Sequence, residues 1–202
     1  IHLETEVKKV LSEEGVFQKI LLSDGKIVEG DACIVATGGV SYRTTGSTGD
    51  GHRWANELGH EVTELLPALV PLETKETWVP ELQGLSLRNV KITVEDTVKH
   101  RDIYEDMGEM IFTHYGISGP MVLSASSHMR NMEKGRYKIH IDFKPALTYE
   151  QLDKRIQRDL IECSNKNLYN TLALLLPRKM IPITVKLTKL NGNLKSNQVK
   201  FV

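Results

Sequence analysis

The stretch Asp31-Ala-Cys-Ile-Val-Ala-Thr-Gly-Gly-Val-Ser-Tyr-Arg-Thr-Thr-Gly-Ser-Thr-Gly-Asp-Gly-His52 decides how the rest of the chain is read. Ala32 to Ala36 is apolar without alternation, which fits a strand buried on both faces in the middle of a sheet. It stops at Thr37-Gly38-Gly39. Five glycines lie between Gly38 and Gly51, and only Arg43 and Asp50 are charged there. That density costs chain entropy unless the backbone needs positive φ or close approach to something. A helix is predicted from His52 to Leu58, stopping at Gly59. The pattern puts small residues where a flat or charged ligand can touch backbone. It also leaves the first N–H groups of a helix free for an anion or a carbonyl oxygen. The competing reading is a tight surface loop in which Asp50 simply caps the helix.

Upstream, residues 1–37 read as a meander of short strands. Ile1, Leu3, Thr5 and Val7 alternate with polar residues, Ser12 to Gly15 breaks the chain, and Val16 to Leu22 is rich in β-formers. Ser23-Asp24-Gly25 is a hairpin signal, and Lys26 to Gly30 is a further short run. Downstream, Leu65 to Leu72 carries Pro67 and Pro71 and reads as an extended segment or linker. Strands return with Val90, Ile92 and Val94, with Met110 to Thr113, and with the strict alternation of Tyr137, Ile139, Ile141 and Phe143. A helix from Ser118 to Arg130 is predicted, with Ser118 as N-cap and Pro120 in the first turn. After Pro145 the pattern turns helical. Thr148 and Gln151 form a capping box, Leu152, Ile156, Leu160 and Ile161 an apolar stripe, and Leu168, Leu172, Leu175 and Leu176 another.

Composition narrows the function classes. The chain of 202 residues is 40% apolar with 26 basic and 26 acidic side chains, so neither disorder nor a globally basic nucleic-acid binder is indicated. The apolar runs, such as Leu172 to Leu176, fall far short of the roughly 20 residues of a membrane span. Lys8 and Lys9 lead into Ser12-Glu13-Glu14, unlike a secretory leader, and the chain opens on Ile1, as a piece of something longer would. Cys33 and Cys163 are too few for a disulfide framework or thiolate metal site, and two reduced thiols suit the cytoplasm. No histidine spacing suggests a metal.

The charge is unevenly spread. Residues 1–145 hold 16 basic and 22 acidic side chains, and residues 146–202 hold 10 and 4. No acid occurs after Glu162, against seven Lys or Arg. A solvated helical subdomain is the favoured explanation over nucleic-acid binding, because the bases are scattered and only Tyr169 and Phe201 are aromatic in that stretch.

The 31–52 stretch resembles the second FAD-contacting motif of two-dinucleotide-fold flavoproteins, in which a strand ending in A-T-G lies against FAD after a small β-meander. Its T-G-D-G is similar to a segment of fumarate reductase-like flavoproteins. Leu66-Pro-Ala-Leu-Val-Pro-Leu72 and Gly108-Glu-Met-Ile-Phe-Thr-His-Tyr-Gly-Ile-Ser-Gly-Pro120 resemble two further motifs of the bacterial aminoacetone oxidase family of FAD-binding enzymes. Arg43 departs from that pattern, standing where the family has proline, which bears on the local turn alone.

The resemblance implies an α+β fold. It would hold a β-meander and strand–helix remnant of an FAD-binding domain (residues 1–72), then an insert made of a small β-barrel (73–146) and a helical subdomain (147–202). The implied cofactor is FAD, with Ala36, Thr37, Gly38, Gly39, Gly46, Gly49, Asp50 and Gly51 as cofactor-binding residues. The implied reaction is hydride or electron transfer to or from a small organic substrate, such as the amine aminoacetone, with NAD(P)H or oxygen as redox partner. No nucleic-acid or membrane partner is expected. The catalytic residues are unknown; His114 and Tyr115 are the candidates, against the reading that Ser118 caps a helix and His114 is an ordinary strand-end residue. No G-x-G-x-x-G occurs, so the pyrophosphate cradle of this class is missing, and these residues alone are expected neither to retain FAD nor to catalyse. The rival is a non-enzymatic binding module whose basic helical tail contacts RNA or protein.

Overall fold

The alternating run that starts at Tyr137 forms a strand in which Tyr137, Ile139 and Ile141 are half-buried while Lys138, His140 and Asp142 face solvent. This period of two is what a sheet with one wet face requires. The computed structural model describes residues 1–199, and Phe201, counted among the aromatics above, lies outside them. The chain divides into two compact units, residues 1–65 and 66–202.

In the first unit, strands β1 (Val7–Glu13), β2 (Val16–Leu22) and β3 (Ile27–Glu29) form an antiparallel meander in that order. Glu14 and Gly15 both take positive φ, 50° and 78°, as a two-residue hairpin turn of matching twist needs. At the next turn the Lys26 N–H donates to the Asp24 carboxylate and Gly25 lies at φ 88°. The alternation from Ile1 to Val7 does not make a strand. The register ends at Val7 opposite Leu22, and beyond it a single bond, Ser23 N–H to Glu6 O at 2.9 Å, is all that continues the pairing. Pairing instead continues through Ser12 and Glu13, which the sequence had assigned to a break.

The larger correction concerns Ala32 to Ala36. These residues belong to no strand and are exposed, Ile34 at 92%. A strand apolar on both faces is stable only between two neighbours, and among the described residues none pairs with it. Helix α1 (Asp50–Glu57) follows, starting two residues before the predicted His52. It ends as predicted at Gly59, at φ 91°, with His60 N–H donating to Ala55 O and Gly59 N–H to Asn56 O. That pair of bonds is a Schellman closure.

The second unit is a mixed α+β body around a five-stranded antiparallel sheet, curled as a half-barrel, in the order β4-β7-β6-β5-β8. Its strands are β4 (Leu72–Glu73), β5 (Ser86–Asp96), β6 (Arg101–Phe112), β7 (Gly116–Ser118) and β8 (Tyr137–Asp142). Leu72 is therefore part of this sheet, opposite Ile117, and the extended segment before it is tied down by Val70 N–H donating to the buried Ser126 hydroxyl. Between Leu87 and Val90 the register slips by one residue, with Asn89 at φ 53°; such a bulge bends and twists the ladder. Helix α2 (Pro120–Ser126) is shorter than the predicted Ser118–Arg130. Ser118 is not its cap: it pairs with Ile111 as the last residue of β7, and Gly119 holds the N-cap position.

Leu87, Val90, Ile92 and Val94 from β5, Met110 and Phe112 from β6, and Val122 and Ala125 from α2 form the core, closed by Val79 and Leu82. Fully burying such aliphatic and aromatic side chains contributes roughly 1.5–3 kcal/mol each. The C-terminal part consists of α3 (Tyr149–Glu162), α4 (Leu168–Leu172) and α5 (Ile181–Thr188), and Met180 and Ile183 join the same core. The capping box is present, Thr148 Oγ1 accepting from Gln151 N–H while Gln151 Oε1 accepts from Thr148 N–H. Ile161, placed on the buried stripe by its spacing, is instead 75% exposed, and the buried neighbours at that end of α3 are Asp159 and Leu160. Asp159 is held by Arg155 at 3.1 Å and Arg158 at 3.2 Å.

Candidate functional site

The 31–52 segment folds back on itself, and its glycines make that possible. A Cβ on Gly38 would lie 2.9 Å from Ser47 Oγ, one on Gly49 2.9 Å from Val40 Cγ1, and one on Gly51 2.6 Å from Thr37 Oγ1 and 3.2 Å from Val35 Cγ1. The A-T-G-G run is thus packed beside the first turn of α1. Gly38, Gly46 and Gly49 also hold φ of 71°, 94° and 89°, a region that side chains rarely enter. Gly39 and Gly46 differ from the others in having open space where a Cβ would be. Ala36, Gly38 and Gly39 are exposed and Thr37 is half-buried. The segment therefore offers a strip of bare backbone, which is what contact with a flat ring requires.

Arg43, at the position of the family's proline, begins a 3₁₀ turn, Arg43–Thr45, closed by Thr45 N–H to Tyr42 O at 2.8 Å. The turn forms without proline.

The first turn of α1 is less suited to an anion. Gly49, not Asp50, occupies the N-cap position, so the capping role offered to Asp50 is not its role. Asp50 is the first helical residue and accepts from Thr48 Oγ1 at 2.5 Å and from the Arg53 guanidinium at 2.6 Å. A carboxylate already satisfies the positive end of this helix. The residues fit the edge of a cofactor lying on bare backbone, and they do not supply a cradle for its phosphates. Trp54, one turn in, is buried with its indole N–H lacking an acceptor among the described residues. A single tryptophan in a short helix carries no pattern that would mark it in the sequence.

His114 and Tyr115 belong to the other unit, at the tip of the β6–β7 connection. Thr113 N–H donates to Gly116 O at 2.8 Å and Gly116 N–H to Thr113 Oγ1 at 3.0 Å, so the two intervening side chains project into solvent. Their rings meet edge to face with centroids 4.7 Å apart. The glycines that follow serve packing. A Cβ on Gly116 would fall 1.9 Å from Leu72 O, and one on Gly119 2.9 Å from Met110 Cα.

Two further polar clusters are structural. Asp96, buried at the end of β5, accepts from Val98 and Lys99 N–H and pairs with Arg136 at 3.1 Å. Burial pushes its carboxyl up, but the Arg136 guanidinium and the two N–H donors outweigh that and hold it below the ordinary aspartate value. Glu95 is likewise lowered, by its bond to His140 at 3.0 Å on the neighbouring strand. No group of three or more His, Cys, Asp or Glu side chains able to hold a metal occurs among the described residues. None of their helices is long and apolar enough to cross a membrane.

A family model described as the HI0933-like protein barrel and H2TH domain matches residues 66–202, the whole of the second unit. The chain belongs to this family. Outside the matched region the HI0933-like chain keeps its likeness to characterised proteins. It is 29% identical over 183 residues to the 3-dehydro-bile acid delta(4,6)-reductase of Clostridium scindens, covering 90% of this chain and 44% of that one. It is 28% identical over 179 residues to the ribosomal RNA dihydrouridine synthase of Escherichia coli, covering 89% and 42%. To the enzyme of the same name from Haemophilus influenzae it is 31% identical over 155 residues, covering 76% and 35%. This HI0933-like chain spans less than half the length of these relatives.

Proposed function

We propose that the chain is part of an FAD-dependent oxidoreductase, with the first unit, residues 1–65, belonging to the FAD-binding domain and the second to its insert, a boundary a few residues before the expected 72 because Leu72 pairs in the insert's sheet. The observation that carries this reading is the strip of bare backbone at Gly39 and Gly46 beside the A-T-G-G run. Ala36, Thr37, Gly38 and Gly39 would lie along the cofactor, while Gly46, Gly49, Asp50 and Gly51 would hold the helix entry that backs them. When bound, FAD supplies the hydride or electron transfer. The protein's part is to position it and exclude water. His114 and Tyr115 stand as candidate substrate-side residues on the insert.

The names of the relatives favour reduction over amine oxidation, because one is a delta(4,6)-reductase and another makes dihydrouridine, which is uridine with two hydrogens added. The substrate class proposed here is accordingly an electron-poor alkene, with NAD(P)H as electron source. Aminoacetone is the weaker choice. Cys33 and Cys163 are both free thiols, in keeping with work in the cytoplasm.

Two relatives named for ribosomal RNA favour a second reading, in which the target base sits in RNA and the insert contacts nucleic acid. This reading is the alternative to the expectation of no nucleic-acid partner.

The test uses the intact protein. It should purify yellow, and Gly39→Leu should bleach it while leaving the melting temperature of the cofactor-free protein unchanged, since open space surrounds that position. A colourless, folded intact protein would refute the flavin reading.

A further inference from the structure

We propose that the basic surface of the C-terminal helices, carrying Lys166, Lys189 and Lys195, docks the phosphate backbone of folded RNA. The proposal rests on the reading that RNA is a partner of this protein.

Between Cys163 and Val199 there are six basic residues and no acid. Tertiary structure gathers what the sequence scatters. Asn167 and Lys195 form an isolated antiparallel bridge, and Ser196 donates from its N–H and its hydroxyl to Lys166 O at 2.9 and 3.2 Å. Leu168 N–H to Leu194 O and Tyr169 N–H to Gly192 O continue the seam, and a buried hydroxyl pair, Thr171 with Ser196 at 2.7 Å, fixes it. Lys166 and Lys195 therefore stand on adjoining segments of one hydrogen-bonded seam. Lys189 ends α5 in a left-handed conformation at φ 57°, a few residues before that seam.

These lysines are among the uncommitted basic residues of the stretch, as is the exposed Arg178. Arg155 and Arg158 are engaged by Asp159, Lys186 faces Glu81 at 3.9 Å, and Lys179 donates to Gln83 O at 2.5 Å. Lys166, Lys189 and Lys195 are exposed and have no ion-pair partner among the described residues. A cationic surface without internal counter-charge attracts polyanions.

The kind of RNA follows from what is missing. Single strands are held by aromatic platforms on which bases stack. Tyr169, the only aromatic between Cys163 and Val199, is half-buried, its ring lying where a Cβ on Gly192 would be. Recognition is left to phosphates arrayed in space, as in a paired stem.

The test titrates the 202-residue chain with a fluorescent RNA hairpin at salt from about 50 to 200 mM. Each phosphate contact contributes a slope of roughly 0.9 in log affinity against log salt. The triple variant Lys166→Ala, Lys189→Ala, Lys195→Ala should lose that slope three times over, making its affinity loss across this range about 40-fold smaller. Lys8→Ala with Lys9→Ala on β1 should leave the slope unchanged. Lys195→Glu alone, with unaltered melting, should weaken hairpin binding and guards against a misfolded triple variant. Poly(U) and polyglutamate should compete poorly. Hairpin binding whose slope the triple variant leaves intact overturns this surface while RNA survives as a partner. No salt-dependent binding overturns both. Equal competition by polyglutamate assigns the face to acidic protein and overturns the RNA proposal.

Discussion

Gly116 and Gly119 sit where a Cβ would strike backbone, at Leu72 O and Met110 Cα, whereas at Gly38, Gly49 and Gly51 the nearest atoms belong to side chains of the same segment. The two glycine motifs look alike on paper. In the second unit the glycines let strands and a helix close on a finished core; in the first they fold a loop beside apolar residues that stay exposed, Ile34 and Val35 among them. Absent side chains serve closure in one place and leave a surface in the other. What separates the cases is whether the neighbouring atoms can yield.

The largest effect that would sharpen this contrast is expected at the core of the second unit. Phe112, 2% exposed, should cost roughly 3–5 kcal/mol when replaced by alanine, read from urea unfolding of the chain. A loss below about 1 kcal/mol would mean that the half-barrel is not the stable element. Next comes Gly116→Ala, which must push the β4–β7 pair apart and should cost on the order of 3 kcal/mol. A neutral result would remove the closure role of this glycine.

A weaker effect is expected at acid pH. Because the folded-state value of Asp96 lies below the ordinary 3.8, its stabilisation is complete above that value and is lost as pH falls through the lowered one. Urea midpoints of the second unit should drop below about pH 4. Asp96→Asn should be less stable at neutral pH and flatter in its acid response, and an identical pH profile would show that the Arg136 pair contributes nothing. The smallest effect belongs to the first unit: Ile34→Ser should change stability by no more than about 0.5 kcal/mol. A change several times larger would break the comparison, since it would mean that the Ala32–Ala36 run is buried in solution.

Much of the fold was legible where its signals are local. The alternation at Tyr137 to Asp142, the Thr148–Gln151 capping box and the Gly59 helix stop each depend on a few neighbouring residues, and each is in place. The misreadings share one cause. Ala32 to Ala36, Ile1 to Val7 and Ile161 all have the right pattern for burial, but burial depends on what packs opposite. Ser118 was assigned to a cap from its position before proline, whereas the pairing with Ile111 decided for a strand end.

At the candidate site the division is similar. The sequence alone determined where glycine is needed, where α1 stops and how the charge divides between the two ends of the chain. These follow from backbone sterics and side-chain identity, which require no partner. Only tertiary structure decided which glycines face open space and which face their own chain, because that depends on how the segment folds back on itself. It also decided that Lys166 and Lys195, 29 positions apart, share one seam. Hydrogen bonds between two turns, not local propensity, bring them together.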